Sequence, residues 1–180
     1  MILSEQDSTL FFGNYLPLLL YAAIYEGLIP EGSDMTDLFN SSLDIKVAAR
    51  NAIFESDDLL KNYKEDNTRF LKTKTPGFAD KVATGLFKDF VILKQGKEFA
   101  VFMDEETKTF YHVIAITDPF TELLDFIPAY VKTAIFNFND KLICDGLITK
   151  SVNIGPNHER EFLDDYKKAL KTKKAVKLLL

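Results

Sequence analysis

The sequence predicts an α+β fold: a helical N-terminal half packed on a small antiparallel β-meander of about four strands, a long apolar helix before the last strand, and a C-terminal helix. Three observations carry this. Apolar residues recur at helical spacing through the first 88 positions. The period then changes to short runs rich in β-branched and aromatic residues at 90–95, 99–103 and 109–116. Proline, glycine and capping residues stand at the expected boundaries. No stretch rich in Pro, Gly or Ser and no internal repeat divides the chain, so a single domain over 1–180 is expected, with 1–88 mainly helical and 89–180 holding the sheet and further helices.

In chain order, Ser4 with Asp7 reads as a helix start, followed by Leu10, Phe11, Tyr15, Leu18, Leu19 and Ala22 at helical spacing. Pro17 should kink that helix or open a second one, and Gly27 with Pro30 should end it. Ser41 or Ser42 can cap a helix through Ile45, Ala49 and Ile53. Asp57 can cap a shorter one carrying Leu59, Leu60 and Tyr63. Pro76 is placed to open a helix bearing Phe78, Val82 and Leu86. Gln95-Gly96-Lys97 and Asp104-Glu105-Glu106-Thr107 supply turns between the three strands that follow. Asp118-Pro119 reads as an N-cap with proline at the first helical position. The stripe Phe120, Leu123, Leu124, Ile127, Val131, Ala134 and Ile135 then predicts a core helix interrupted at Pro128. Residues 141–149 read as a strand with Gly146 marking a bulge or a close backbone approach, and Asn157 as the cap of a last helix through Phe162, Tyr166 and Ala169.

The chain has 180 residues, with 16 Phe, 7 Tyr, no Trp and one cysteine, Cys144. One Cys closes no internal disulfide, and with two His it makes no Cys-rich zinc site. Charge is graded along the chain. Residues 1–66 hold 12 acidic and 4 basic side chains, whereas the tail from Lys167 to Leu180 holds 6 lysines and no acid. The acidic body disfavours a phosphate backbone, and lysines at a helix C-terminus complement its dipole, so nucleic-acid binding is not expected. The run YLPLLLYAAIY looks like a signal-peptide core. However, its leader is acidic, the first basic residue is Lys46, and the run is short for a membrane span. A buried helix in a cytoplasmic protein, without membrane insertion, is the expectation, and the Asn40-Ser41-Ser42 sequon is then without meaning.

Taken together, the segment from Phe90 to Ile148 resembles a group of uncharacterised bacterial proteins. In that group a strand pair and an aliphatic strand lead to an Asp-Pro helix start, an apolar segment with an internal Ile-Pro or Leu-Pro, and a strand ending in Asp-Gly-Leu. The matching residues here are Asp118-Pro119, Ile127-Pro128 and Asp145-Gly146-Leu147. The aromatic N-terminal helix and the closing GPNHEREFLDDYKKA are also similar. Some members carry a C-terminal Cys-rich zinc motif that this chain lacks. The resemblance supports the architecture and implies no activity, since its motifs are structural punctuation.

Candidate sites are few. His112, in a strand beside Tyr111, reads first as an inward histidine bonded to the backbone, and second as a catalytic base. His158, Glu161 and Asp165 share one helix face and form the candidate metal set, although the His-Glu-x-x-His spacing of zinc enzymes is missing. Asp104, Glu105 and Glu106 can attract a hard cation, but a hairpin turn explains them. Asp145 is the sharpest candidate, because a carboxylate in an apolar strand must face solvent, pair with a base or titrate abnormally. Its neighbour Cys144 reads as a small buried hydrophobe before it reads as a nucleophile. No Gly-x-Ser-x-Gly elbow, P-loop or dinucleotide fingerprint occurs, and no cofactor is expected. The favoured function is a non-catalytic interaction or accessory module with a protein partner, homo-oligomerisation remaining open. The competing one is a small hydrolase or metal-dependent enzyme using Asp145 with His112 or His158.

Overall fold

The computed structural model describes every residue except Thr73, Lys173, Lys174 and Leu180, together with the side chains of all but Lys150 and Val176 among the rest. Three residues of the basic tail therefore lie outside the described residues. The fold is α+β, with helices in the N-terminal half, a curled, mainly antiparallel sheet and a C-terminal helix. Its contacts fall into two compact units, one of Glu5–Thr84 and one of Gly85–Leu180 joined by Met1–Ser4.

The first unit holds α1 (Glu5–Tyr25), α2 (Met35–Asn40), α3 (Leu43–Glu55), α4 (Leu59–Asp66), α5 (Thr68–Leu71) and α6 (Phe78–Ala83). α1 stays one helix through Pro17, where a kink or a second start was expected. By length and composition it could cross a membrane. In the structure Phe11, Tyr15, Leu18, Leu19, Ala22 and Ala23 are buried, and α1 packs on α2, α3 and α4. Asn14, also buried, has its amide spent on the carbonyl of Leu10 at 2.6 Å and on the hydroxyl of Thr75, while its oxygen accepts the N–H of Thr75 at 3.0 Å. Burying an amide is tolerable because these bonds replace its water. Ser42 does cap α3, accepting from the N–H of Ile45. The expected cap at Asp57 moves one residue on, to Asp58. α2, outside the helices expected, starts on a capping box of Asp34 with Asp37 that is legible in Ser33-Asp34-Met35-Thr36-Asp37.

The second unit carries β1 (Leu86–Gln95), β2 (Ala100–Asp104), β3 (Thr109–Val113), α7 (Phe120–Leu123), β4 (Ala129–Phe138), β5 (Lys141–Cys144), β6 (Thr149–Asn153), α8 (Pro156–Lys171) and β7 (Ala175–Val176). The strand order is β5-β4-β1-β2-β3-β7, with β6 also on β4, so among the described residues the sheet has seven strands where about four were expected. All pairs are antiparallel except the short β3–β7 pair. The sheet curls until Ile114, just past β3, meets β5. The Ile114 N–H donates to the Leu142 carbonyl at 2.9 Å, and the Cys144 N–H donates to the Ile114 carbonyl at 3.2 Å. Curling in this way pairs backbone groups that an open sheet would leave at its edges.

The main correction concerns residues 118–138. The long apolar helix is not there. α7 is a single turn, Leu124 and Ile127 lie in the link that follows it, and Val131, Ala134 and Ile135 lie in β4, the strand that pairs with β1 along one side and with β6 and β5 in succession along the other. β4 carries apolar residues on both faces, Val131 and Ile135 on one and Ala134 and Phe136 on the other, and such a run looks like a buried helix when only hydrophobicity is read. The legible clue was downstream: Asn139 and Asp140 both have positive φ and close a two-residue hairpin between Phe138 and Lys141. Three smaller boundaries also move. α6 stops at Ala83, so Leu86 belongs to β1; Pro119 rather than Asp118 caps α7; and α8 starts with Pro156 behind Gly155, not at Asn157.

Side-chain alternation divides the unit. The inner face of the curl carries Phe90, Ile92, Phe102, Tyr111, Val113, Val131, Ile135, Leu142 and Cys144, filled by Phe120 and Leu124. The outer face carries Val91, Leu93, Val101, Met103 and Phe110 and is covered by Phe162, Tyr166 and Ala169 of α8. Those three are spaced to share one face of the helix, as the sequence predicts. The end of the chain is held as well. Asn137 donates its side-chain N–H to the Leu179 carbonyl at 2.7 Å and accepts the Leu179 N–H at 2.9 Å.

Candidate functional site

Asp145 sits where the chain leaves β4. β5 pairs with β4 at Ile135–Phe138 and β6 pairs at Ala129–Lys132, so the expected strand 141–149 is two strands with a turn between them, opposite Thr133. The Asp145 carboxylate accepts the N–H of Leu147 at 3.0 Å and the hydroxyl of Thr133 at 3.2 Å, closing that turn. Gly146 has φ +80°, and a Cβ added there would meet nothing within 4 Å, so glycine serves the turn and not a close backbone approach. Cys144, fully buried, lies 3.2 Å from the Thr133 hydroxyl, within reach of donating its S–H to it. Thr133 thus gathers the thiol, the carboxylate and the Leu147 carbonyl, each within 3.2 Å of its hydroxyl oxygen. These bonds give the carboxylate a structural role.

His112 is on the other side of the sheet. It pairs with Val101 on the outer face, whereas Thr133, which holds Asp145, pairs with Lys88 and shares the inner face with Val131 and Ile135. The expected backbone bond to His112 is replaced by a side-chain one: its Nε2 is 2.8 Å from the Tyr166 hydroxyl of α8. Its ring stacks on Phe99 with centroids 3.8 Å apart. Nδ1 is buried and has no hydrogen-bond partner among the described residues. A lone pair left unpaired costs less than an N–H, which favours the tautomer protonated at Nε2.

Burial, followed by the charges of Lys177 and Lys94, lowers the His112 pKa from its ordinary 6.5. Because the unfolded chain then binds the proton better, His112 contributes stability above 6.5 that declines as pH falls through the unfolded and then the folded value. The urea midpoint should therefore drop on acidification below 6.5. Replacing His112 by Gln should flatten that part of the profile, and an unchanged acid slope in H112Q would place its origin elsewhere.

Around this pair lies an open groove of about 320 Å³, lined by Lys94, Lys97, Glu98, Phe99, Tyr166 and Leu170 together with Gly96. Its position follows from the hairpin: β1 ends at Gln95 and the tight Gly96 N–H to Phe99 carbonyl bond turns the chain back into β2 beside α8. Lys94 holds its ammonium 4.8 Å from the centre of the Tyr166 ring, a cation–π distance. Leu170 is 46% exposed and lies on the same helix as Tyr166.

The remaining candidates are accounted for locally. His158, in the first turn of α8, stacks on Phe162, and Asp165 pairs with Lys168 at 3.0 Å. Among the described residues, no three His, Cys, Asp or Glu side chains lie close enough to hold a metal ion. Asp104 is buried. It accepts the N–H groups of Glu106 and Thr107 on one oxygen and the Lys88 ammonium on the other, while Glu105 accepts the Tyr130 hydroxyl. Lys167 and Lys168 pair with Asp164 and Asp165, so part of the tail's positive charge is neutralised along α8. The structure therefore brings together neither Asp145 with His112 nor three members of the proposed metal set. It assembles instead Tyr166, Lys94 and Phe99 around His112, which sequence reasoning missed because the β1–β2 turn and α8 are about 70 residues apart. Comparisons with known protein families, with curated proteins and with solved structures gave no match.

Proposed function

We propose that this chain is a non-catalytic interaction or accessory module that binds its partner through the groove between the β1–β2 turn and α8. The observation that supports this most strongly is the groove's chemistry. It offers exposed lysines, an accessible leucine and aromatic edges, while the one imidazole beside it is bonded to Tyr166 and stacked on Phe99. Binding surfaces concentrate their energy in such aromatic and apolar anchors with charged rims. A general base needs a nitrogen that can reach substrate, and Nδ1 of His112 is buried. Taking α1 as a packed helix rather than a membrane span belongs to the same reading, supported by its buried face and by the Asn14–Thr75 bonds. So does kinship with the uncharacterised bacterial group, whose three shared motifs here mark α7's start, the bond before β4 and the Asp145 turn.

The test is affinity capture from a host lysate with the wild type and a K94E/K97E variant as baits, analysed by quantitative mass spectrometry. A defined partner retained by the wild type and lost from the variant is the expected result. Equal retention by both baits would overturn the groove as the binding surface. Hydrolysis of simple esters or phosphoesters by the wild type, abolished in D145N with an unchanged circular-dichroism spectrum, would overturn the non-catalytic reading.

A further inference from the structure

We infer that the groove's ligand is an acidic, apolar peptide segment: one or two carboxylates set against Lys94 and Lys97, with a neighbouring aromatic or aliphatic side chain laid on Leu170 and Phe99. This rests on the interaction reading above and names the chemistry of the partner.

Charge is the first argument. The whole chain carries −5, yet the groove rim holds two lysines against the single carboxylate of Glu98, and Lys177 adds its field at His112. A local positive rim on an acidic protein favours ligands with few, localised negative charges. A long polyanion is a poorer fit, because its remaining phosphates would face the acidic body within a Debye length of about 8 Å.

Apolar surface is the second. Leu170 is nearly half exposed beside a partly buried Phe99, and covering them returns apolar area from water. The groove is open along Lys94, Gly96, Lys97 and Glu98, all exposed, so it suits a segment lying across it rather than an engulfed small molecule. Lys94 is already preorganised, because its ammonium sits over the ring of Tyr166, which is itself anchored by His112. A fixed cation loses less side-chain freedom on binding a carboxylate than a free lysine does.

The experiment is fluorescence anisotropy with a labelled peptide of alternating Glu and Leu or Phe. Three control probes accompany it: the same peptide with Lys for Glu, the same with Ser for Leu and Phe, and a single-stranded oligonucleotide. The acidic–apolar peptide should bind saturably, and at least about tenfold more weakly to K94E/K97E, since even one lost close charge pair is worth about that factor. Leu170→Ser should weaken it and abolish the advantage over the Ser-substituted peptide. Because Lys94, Lys97 and Leu170 are exposed, a milder K94Q/K97Q variant with wild-type thermal unfolding separates charge from folding. Preference for the oligonucleotide, equal binding of the Lys peptide, or no saturable binding of the acidic–apolar peptide would each overturn this ligand class. Lysate capture dependent on Lys94 and Lys97 would meanwhile leave the module reading standing.

Discussion

Phe102→Ala is expected to destabilise the sheet-bearing unit by about 3–5 kcal/mol, the largest effect of any single truncation argued here. Phe102 is 0% exposed, at the centre of the inner face of the curl. Its ring meets Phe90 at 5.9 Å and Phe120 at 5.0 Å, both tilted well away from parallel, so truncation removes burial and two favourable ring contacts together. The cavity cannot close easily, since the strands on either side are fixed by their ladders and Phe120 arrives from a one-turn helix tied back to Gln95. Thermal unfolding followed by near-ultraviolet circular dichroism should show a midpoint about 10 °C lower for a domain of this size. A loss under 1 kcal/mol, on the order of a surface substitution, would show that the curl is not packed as described.

Asp104→Ala is the second. The buried carboxylate takes the Lys88 ammonium at 2.5 Å and two backbone N–H groups of the β2–β3 turn, and charge-assisted bonds of this kind are worth about 1.5–3 kcal/mol each. Removing it also takes from the half-buried Lys88 the carboxylate it is bonded to, so a loss of about 2–4 kcal/mol is expected in urea denaturation. Asn at the same position still accepts from the turn and should lose less. Burial pushes the Asp104 carboxyl up, but the bonds from Lys88 and Thr107 outweigh it and hold the pKa below 3.8. The bond to Asp104 raises Lys88 above 10.5 despite its own partial burial. The pair therefore contributes fully between 3.8 and 10.5 and is lost as pH falls through the lowered Asp104 value or rises through the raised Lys88 value. In Asp104→Asn the acid limb of the stability profile should flatten. An acid limb identical to the wild type's would show that Asp104 is not the titrating group.

Local rules reached far in the helices. Ser42 caps α3, the α1 stripe from Phe11 to Ala22 is buried, and Phe162, Tyr166 and Ala169 line one side of α8. Each depends on residues within a few turns of one another, so spacing alone could show them. The β-meander was legible for the same reason, since its turns join neighbouring strands. The candidate site was less legible. Asp145 reads in the sequence as a carboxylate that must face solvent, pair with a base or titrate abnormally; in the structure it is buried and bonded to Thr133 and Leu147, and Thr133 belongs to a segment that reads as helix.

What the sequence by itself determined is the class: amphipathic helices, then alternating strands, with one cysteine and an acidic body. What only the tertiary structure decided is β4 and everything that depends on it. The segment 129–138 carries apolar side chains on both faces of the strand, interrupted by Lys132, Thr133 and Asn137, so its hydrophobic spacing also fits a helical stripe. Pairing with β1 on one edge and with β6 and β5 on the other settles it as strand, by satisfying its backbone groups inside a sheet that curls shut. That same pairing places Asp145 on the inner face and leaves His112 on the outer, so the partition of their chemistry is a property of the sheet and not of either residue's neighbours in the chain.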